Sequence, residues 1–124
     1  MLSTTNIIAF VPTVDPVQAR AFYEGVLGLH FVKDDGFALV LDANGIMVRI
    51  AKAGDFKPAP FTILGWEVSD VAKMAGRLKE NGVVFERFSF FQQDELGIWT
   101  APTGDKVAWF KDPDGNMLSI SEHV

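Results

Sequence analysis

The side chains able to do chemistry are few and poorly grouped. There are two histidines, His30 and His123, and no cysteine, so thiolate nucleophiles, disulfides and every thiolate metal site are excluded together. Any metal would have to rely on His, Asp or Glu. His30 stands near the start of an apolar run, and His123 adjoins Glu122 at the last residues. Neighbours on an extended chain face opposite ways, so Glu122 and His123 do not form a metal pair, and a frayed end is the expected state of these residues. Asp114-Gly115-Asn116 sits in a turn between strands, without the following helix whose N-terminal dipole a phosphate loop uses. No serine occupies a strand-turn-helix nucleophile setting. What remains is Glu67, in the apolar run 61–68 and on the same strand face as Ile63 and Gly65, which is the one candidate general base.

The elements that must position these residues follow from periodicity. Residues 6–11 form an apolar run of strand length that Pro12-Thr13-Val14 is expected to end. Asp15 reads as a helix N-cap with Pro16 at the first helical position. Ala19, Phe22, Tyr23, Val26 and Leu27 then recur at i, i+3, i+4, i+7 and i+8, one apolar helix face, which Gly28 stops. Residues 29–33 and 37–41 read as strands joined by Asp34-Asp35-Gly36, and 46–51 as a fourth, giving βαβββ. After a Gly- and Pro-containing linker at 54–60 the pattern restarts. A strand at 61–68 leads to a cap at Ser69 or Asp70. The stripe Val71, Met74, Ala75 and Leu78 makes a helix ending at Asn81-Gly82, and strands follow at 83–88 and 97–101.

The closing segment 106–121 reads as one hairpin, and 37–50 is its earlier echo. Aligned at Asp42 and Asp112, an offset of 70 residues (112 − 42), Ala38 matches Ala108, Gly45 matches Gly115, Met47 matches Met117 and Ile50 matches Ile120. The helix-ending glycines Gly28 and Gly82 are 54 apart, so the second copy carries about 16 extra residues (70 − 54) between helix and hairpin. That insertion, at 88–99, contains Phe88, Phe90, Phe91 and Trp99. The expected architecture is α+β: two βαβββ repeats, about 1–53 and 61–124, forming a single domain over 1–124, because roughly 60 residues bury too little apolar surface alone.

With 48% apolar residues and scattered charges of both signs, the chain should fold as a globule. A net charge of −5 without a basic stripe argues against nucleic acid and mildly favours a cationic ligand. No apolar run approaches the roughly 20 residues of a membrane span, and Met1-Leu2-Ser3-Thr4-Thr5 lacks the basic start of a signal peptide. A cytoplasmic protein without membrane partners is the expectation.

Ala21-Phe-Tyr-Glu-Gly-Val-Leu-Gly28 early and Trp109-Phe-Lys-Asp-Pro-Asp-Gly-Asn116 late, on paired βαβββ units, resemble the vicinal oxygen chelate superfamily over essentially the whole chain. This is the glyoxalase I, bleomycin-resistance and extradiol-dioxygenase group. The resemblance implies two sheets curling around a cavity, with a divalent metal held by four side chains. The positions that would hold it here are Asn6, Arg49, Ile63 and Ser119, none of them a His or a carboxylate. Shifting each strand by two residues supplies no strong ligand either, so neither metal nor other cofactor is expected.

The same resemblance implies a cavity wall of Phe10, Met47, Arg49, Glu67, Phe110, Met117 and Ser119, with Trp99 near the mouth and Arg49 with Glu67 as polar anchors. It points to a metal-free homodimer that sequesters a small molecule. Two alternatives stand beside it. One is a lyase, isomerase or dioxygenase-like enzyme with a displaced or incomplete metal site, or one working without metal through Glu67. The other is an interaction or regulatory module with an empty cavity; separately, the aromatics of the insertion could be core or dimer contacts.

Overall fold

Pro12, expected to end the first strand, lies inside it: β1 runs Ile8–Thr13, and Pro12 pairs in register with Ala51. The strand is the edge of its sheet, where a residue without an N–H is tolerated on the open side. Asn6 consequently precedes the strand instead of starting it. The computed structural model describes all residues, 1–124, and the chain divides into two compact units, Met1–Lys57 and Pro58–Val124.

In the first unit Asp15 caps α1 (Pro16–Arg20), its carboxylate accepting the Gln18 N–H at 3.2 Å. The helix then widens over Ala21–Val26 into π-type turns, with the Leu27 N–H reaching back five residues to Phe22 O at 2.9 Å. Gly28, at φ 78°, ends it. β2 (His30–Asp34), β3 (Ala38–Ala43) and β4 (Ile46–Lys52) complete a sheet of order β1-β4-β3-β2, parallel at β1–β4 and antiparallel elsewhere. Val11, Tyr23, Leu41, Val48 and Ile50 are its buried core.

The second unit has β5 (Thr62–Glu67), α2 (Val71–Glu80), β6 (Trp99–Thr100), β7 (Lys106–Lys111) and β8 (Met117–Glu122), in the matching order β5-β8-β7-β6. Asp70 caps α2 by accepting the Lys73 N–H at 3.0 Å, and Val71, Ala75 and Leu78 are the face it buries. No helix in the chain is long and apolar enough to cross a membrane.

Two expectations for this unit are corrected. Residues 83–88 are not a strand: Phe85 bridges Phe110 and the Glu86 N–H reaches Trp109 O at 2.8 Å, but the ladder stops there because the chain leaves the edge for the insertion. The edge resumes only at Trp99, so the strand expected at 97–101 is just two residues.

The final hairpin also differs from its echo by one residue. In the first copy Asp42 faces Met47 around Asn44-Gly45, whereas in the second Lys111 faces Met117 around a longer loop. That loop is a closed cage. Asp112 Oδ1 accepts the Asp114 and Asn116 N–H groups at 2.9 Å each, and Oδ2 accepts from Asn116 Nδ2 at 2.9 Å. A one-residue slip turns every side chain to the other face. The echo aligns Phe110 and Ser119 with the facing pair Val40 and Arg49. Instead Trp109 faces Ser119, and Phe110 faces Leu118.

Candidate functional site

In the first unit the register brings three of the expected residues to one sheet face. Phe10 pairs with Arg49 and Ile8 with Met47, so these four alternate with the buried Val11, Val48 and Ile50. Phe10 is 62% and Met47 41% exposed. Arg49 is held by a residue that sequence reasoning missed: its Nη2 lies 2.8 Å from Asp35 Oδ2. Asp35 Oδ1 accepts the Phe37 and Ala38 N–H groups at 2.9 Å each. The Arg49 hydrogen bond, followed by those two amides, lowers the Asp35 carboxyl to about 2. The Asp34-Asp35-Gly36 turn was the available signal, since an acidic turn joining β2 to β3 lies one strand away from β4.

In the second unit Glu67 faces Ser121 and Gly65 faces Ser119, which places Glu67, Met117, Ser119 and Ser121 on one sheet face. Trp109 and Val107 share that face from β7, and Trp99, opposite Val107, joins it. Phe110 does not. It is fully buried on the other side and meets the Phe85 ring edge-on at 5.8 Å. The packing of this face is close: a Cβ at Gly65 would come within 2.8 Å of Ser119 Oγ.

The insertion folds back over this face. The Phe91 ring lies 4.4 Å from Trp99 at 30° and 5.2 Å from Trp109 at 3°, while Phe88 meets Trp109 edge-on at 5.4 Å. Gln93 holds the loop in this shape. Its Oε1 accepts the Phe88 N–H at 2.8 Å, and its Nε2 donates to Glu86 O at 2.9 Å and Gly97 O at 2.8 Å. Asp94 Oδ1 accepts the Leu96 and Ile98 N–H groups, closing the return to β6. The insertion and β6 line an open cleft of about 870 Å³ with, among others, Arg87, Phe88, Phe91, Asp94, Trp99 and Thr100. Gln93 and Trp109 were both missed. No spacing marks a glutamine that bonds backbone groups on both sides of its loop, and Trp109 was hidden by the register slip.

The metal positions fail on donor chemistry. Asn6 and Ser119 offer single neutral oxygens, Ile63 offers none and sits at a bulge between the Thr62 and Leu64 pairings, and Arg49 carries a cation already tied to Asp35. No three His, Asp or Glu side chains converge anywhere in the chain. His30 pairs with Asp42 at a strand start. The last residues are not frayed, which corrects the expectation for them. Glu122 Oε1 accepts the Val71 N–H at 3.0 Å, and Asp105 binds both the Val124 N–H at 3.0 Å and His123 Nδ1 at 3.4 Å.

The family model of the Glyoxalase/Bleomycin resistance protein/Dioxygenase superfamily matches residues 6–120. Similar solved structures include a member of that superfamily from Sphaerobacter thermophilus, 21% identical with a TM-score of 0.75 over 99% of this chain and 100% of that one. A glyoxalase family protein from Enterococcus faecalis is 20% identical, TM-score 0.73, covering 98% and 100%. A lactoylglutathione lyase from Agrobacterium tumefaciens is 20% identical, TM-score 0.72, covering 95% and 93%. At these identities the likeness is one of fold. Among curated proteins none matches the sequence.

Proposed function

Given that the chain belongs to the Glyoxalase/Bleomycin resistance protein/Dioxygenase superfamily, we propose that it is a metal-independent binding protein that sequesters a planar, preferentially cationic small molecule. The observation that carries this reading is the Phe91–Trp99–Trp109 stack beside the cleft of about 870 Å³ in the second unit. Ligand clefts of roughly 300–1,000 Å³ combine aromatic walls with a few polar anchors, and here Asp94 and Thr100 supply the anchors, while the lining Arg87 is turned onto Asp94 O at 2.6 Å. A net charge of −5 steers cations toward the molecule.

Enzymes of this family type that use a metal need imidazole and carboxylate donors, which Asn6, Arg49, Ile63 and Ser119 do not provide. The lyase, isomerase and dioxygenase-like readings therefore rank below the binder. The cytoplasm and a homodimeric state complete the proposal. The exposed apolar side chains of Ile8, Phe10 and Met47 on one sheet face are the kind of surface that association covers.

Native mass spectrometry of protein purified from cells tests the reading. One small molecule per chain is expected, retained after dialysis against chelator and lost from the Trp99→Ala variant. A guest that leaves with a metal ion, or that Trp99→Ala keeps, would overturn it.

A further inference from the structure

At the C-terminal end of β8, two strands across from Trp99, three polar residues stand in the order nucleophile, base, carboxylate. Alternation along β8 puts Ser121 and the following His123 on one side, and the β7–β8 register, in which Lys106 faces Glu122, brings Asp105 beside His123. Ser121 Oγ is 2.9 Å from His123 Nε2, and His123 Nδ1 is 3.4 Å from Asp105 Oδ2. Asp105 is itself fixed: its Oδ1 accepts the Val124 N–H at 3.0 Å, and that bond is the first cause holding its carboxyl below the ordinary range.

An ionised Asp105 only accepts, so it selects the imidazole tautomer with hydrogen on Nδ1 and leaves the Nε2 lone pair to take the Ser121 hydroxyl hydrogen. A cavity of about 330 Å³ adjoins this group, lined by Glu67, Val68, Ser69, Glu122 and His123. Glu67 faces Ser121 across the β5–β8 pair, and its carboxylate disfavours anionic acyl groups.

We propose that Ser121, His123 and Asp105 form a hydrolytic site for small neutral or cationic activated esters. Ser121 Oγ forms a bond to the ester carbonyl carbon while its proton passes to His123 Nε2. The tetrahedral adduct collapses, the C–O bond to the alcohol breaks, and the leaving alcohol takes that proton from His123. Water, giving a proton to the same nitrogen, then attacks the acyl-serine; the acyl C–Oγ bond breaks, Ser121 Oγ takes that proton back from His123, and the carboxylic acid leaves. Asp105 is a positioning residue, acting through the imidazole. The site shares no wall with the aromatic cleft and does not depend on what that cleft binds.

The test uses the full chain and p-nitrophenyl acetate. The expected result is a burst of p-nitrophenol with acetyl found by peptide mass spectrometry on Ser121, and a fall of about 100-fold or more in release for Ser121→Ala and His123→Gln. Circular dichroism spectra of both variants should match the parent. Asp105→Asn is expected to slow acylation and to move the imidazole nitrogen NMR signals toward the tautomer protonated at Nε2. Release unchanged in folded Ser121→Ala, acetyl on lysines but not on Ser121, or an unchanged tautomer signature in Asp105→Asn would overturn the assignment.

Discussion

The two units share a strand order and diverge at one edge. In the first, Asp34-Asp35-Gly36 joins β2 to β3 tightly, and the turn's carboxylates take Lys52 and Arg49 at 3.0 and 2.8 Å. The sheet face beside it leaves Phe10 and Met47 exposed. In the second, the matching β6–β7 turn at 101–105 is also short, but the edge strand before it gives way to the insertion, which bonds to itself through Gln93 and lays Phe91 on Trp99 and Trp109. One copy of a repeated unit thus keeps its face open and the other roofs its own. The edge is where this can happen, because an edge strand has only one neighbour whose hydrogen bonds must be kept.

The largest effect that distinguishes the faces should come from Phe110→Ala, which removes a fully buried ring and is expected to cost about 3–5 kcal/mol in urea unfolding. Phe10→Ala, at an exposed position, should stay within about 0.5 kcal/mol. Comparable losses from the two would break the register assignment that separates them.

Gln93→Ala comes next. Losing three hydrogen bonds to backbone groups should cost about 1–3 kcal/mol and also flatten the near-ultraviolet circular dichroism of the Trp99–Trp109 stack. An intact aromatic spectrum in that variant would mean that the roof holds without its latch.

Gly65→Ala should cost about 1 kcal/mol, the low end for overpacking, because the Ser119 hydroxyl at 2.8 Å can turn aside. The cost should shrink when combined with Ser119→Ala, a coupling read from a double-mutant cycle. Strict additivity would place the two residues on different faces.

The smallest effect concerns Asp35. A folded-state carboxyl lowered from 3.8 to about 2 contributes stability that is present above 3.8 and lost as pH falls toward about 2. Arg49→Ala should raise the Asp35 titration midpoint, followed by NMR, and flatten the acid limb of stability across that window. An unmoved midpoint would show that the turn amides alone set it.

Much of the fold was legible because periodicity and caps are local signals. Asp15 with Pro16, Asp70, and the glycines closing both helices act within a few residues of themselves, and the 70-residue echo carries the strand order with it. The site was less legible because its errors are tertiary. Phe110 and Trp109 exchange faces through one extra residue in the Asp112–Asn116 loop, which apolar matching cannot detect since both residues are apolar. Arg49 was expected as a polar anchor from its strand position alone, and its bond to Asp35 comes from the geometry of an adjacent turn. Gln93 carries no periodic mark at all.

Whether the aromatic cleft takes a planar cation without metal is decided by titrating the protein with acridine orange and following tryptophan fluorescence, in chelator-treated buffer. Saturable binding of one dye per chain is predicted, weakened at least about tenfold, or ~1.4 kcal/mol, by Trp99→Ala and unchanged by Phe10→Ala. No saturable binding, or binding that Trp99→Ala leaves intact, would contradict it.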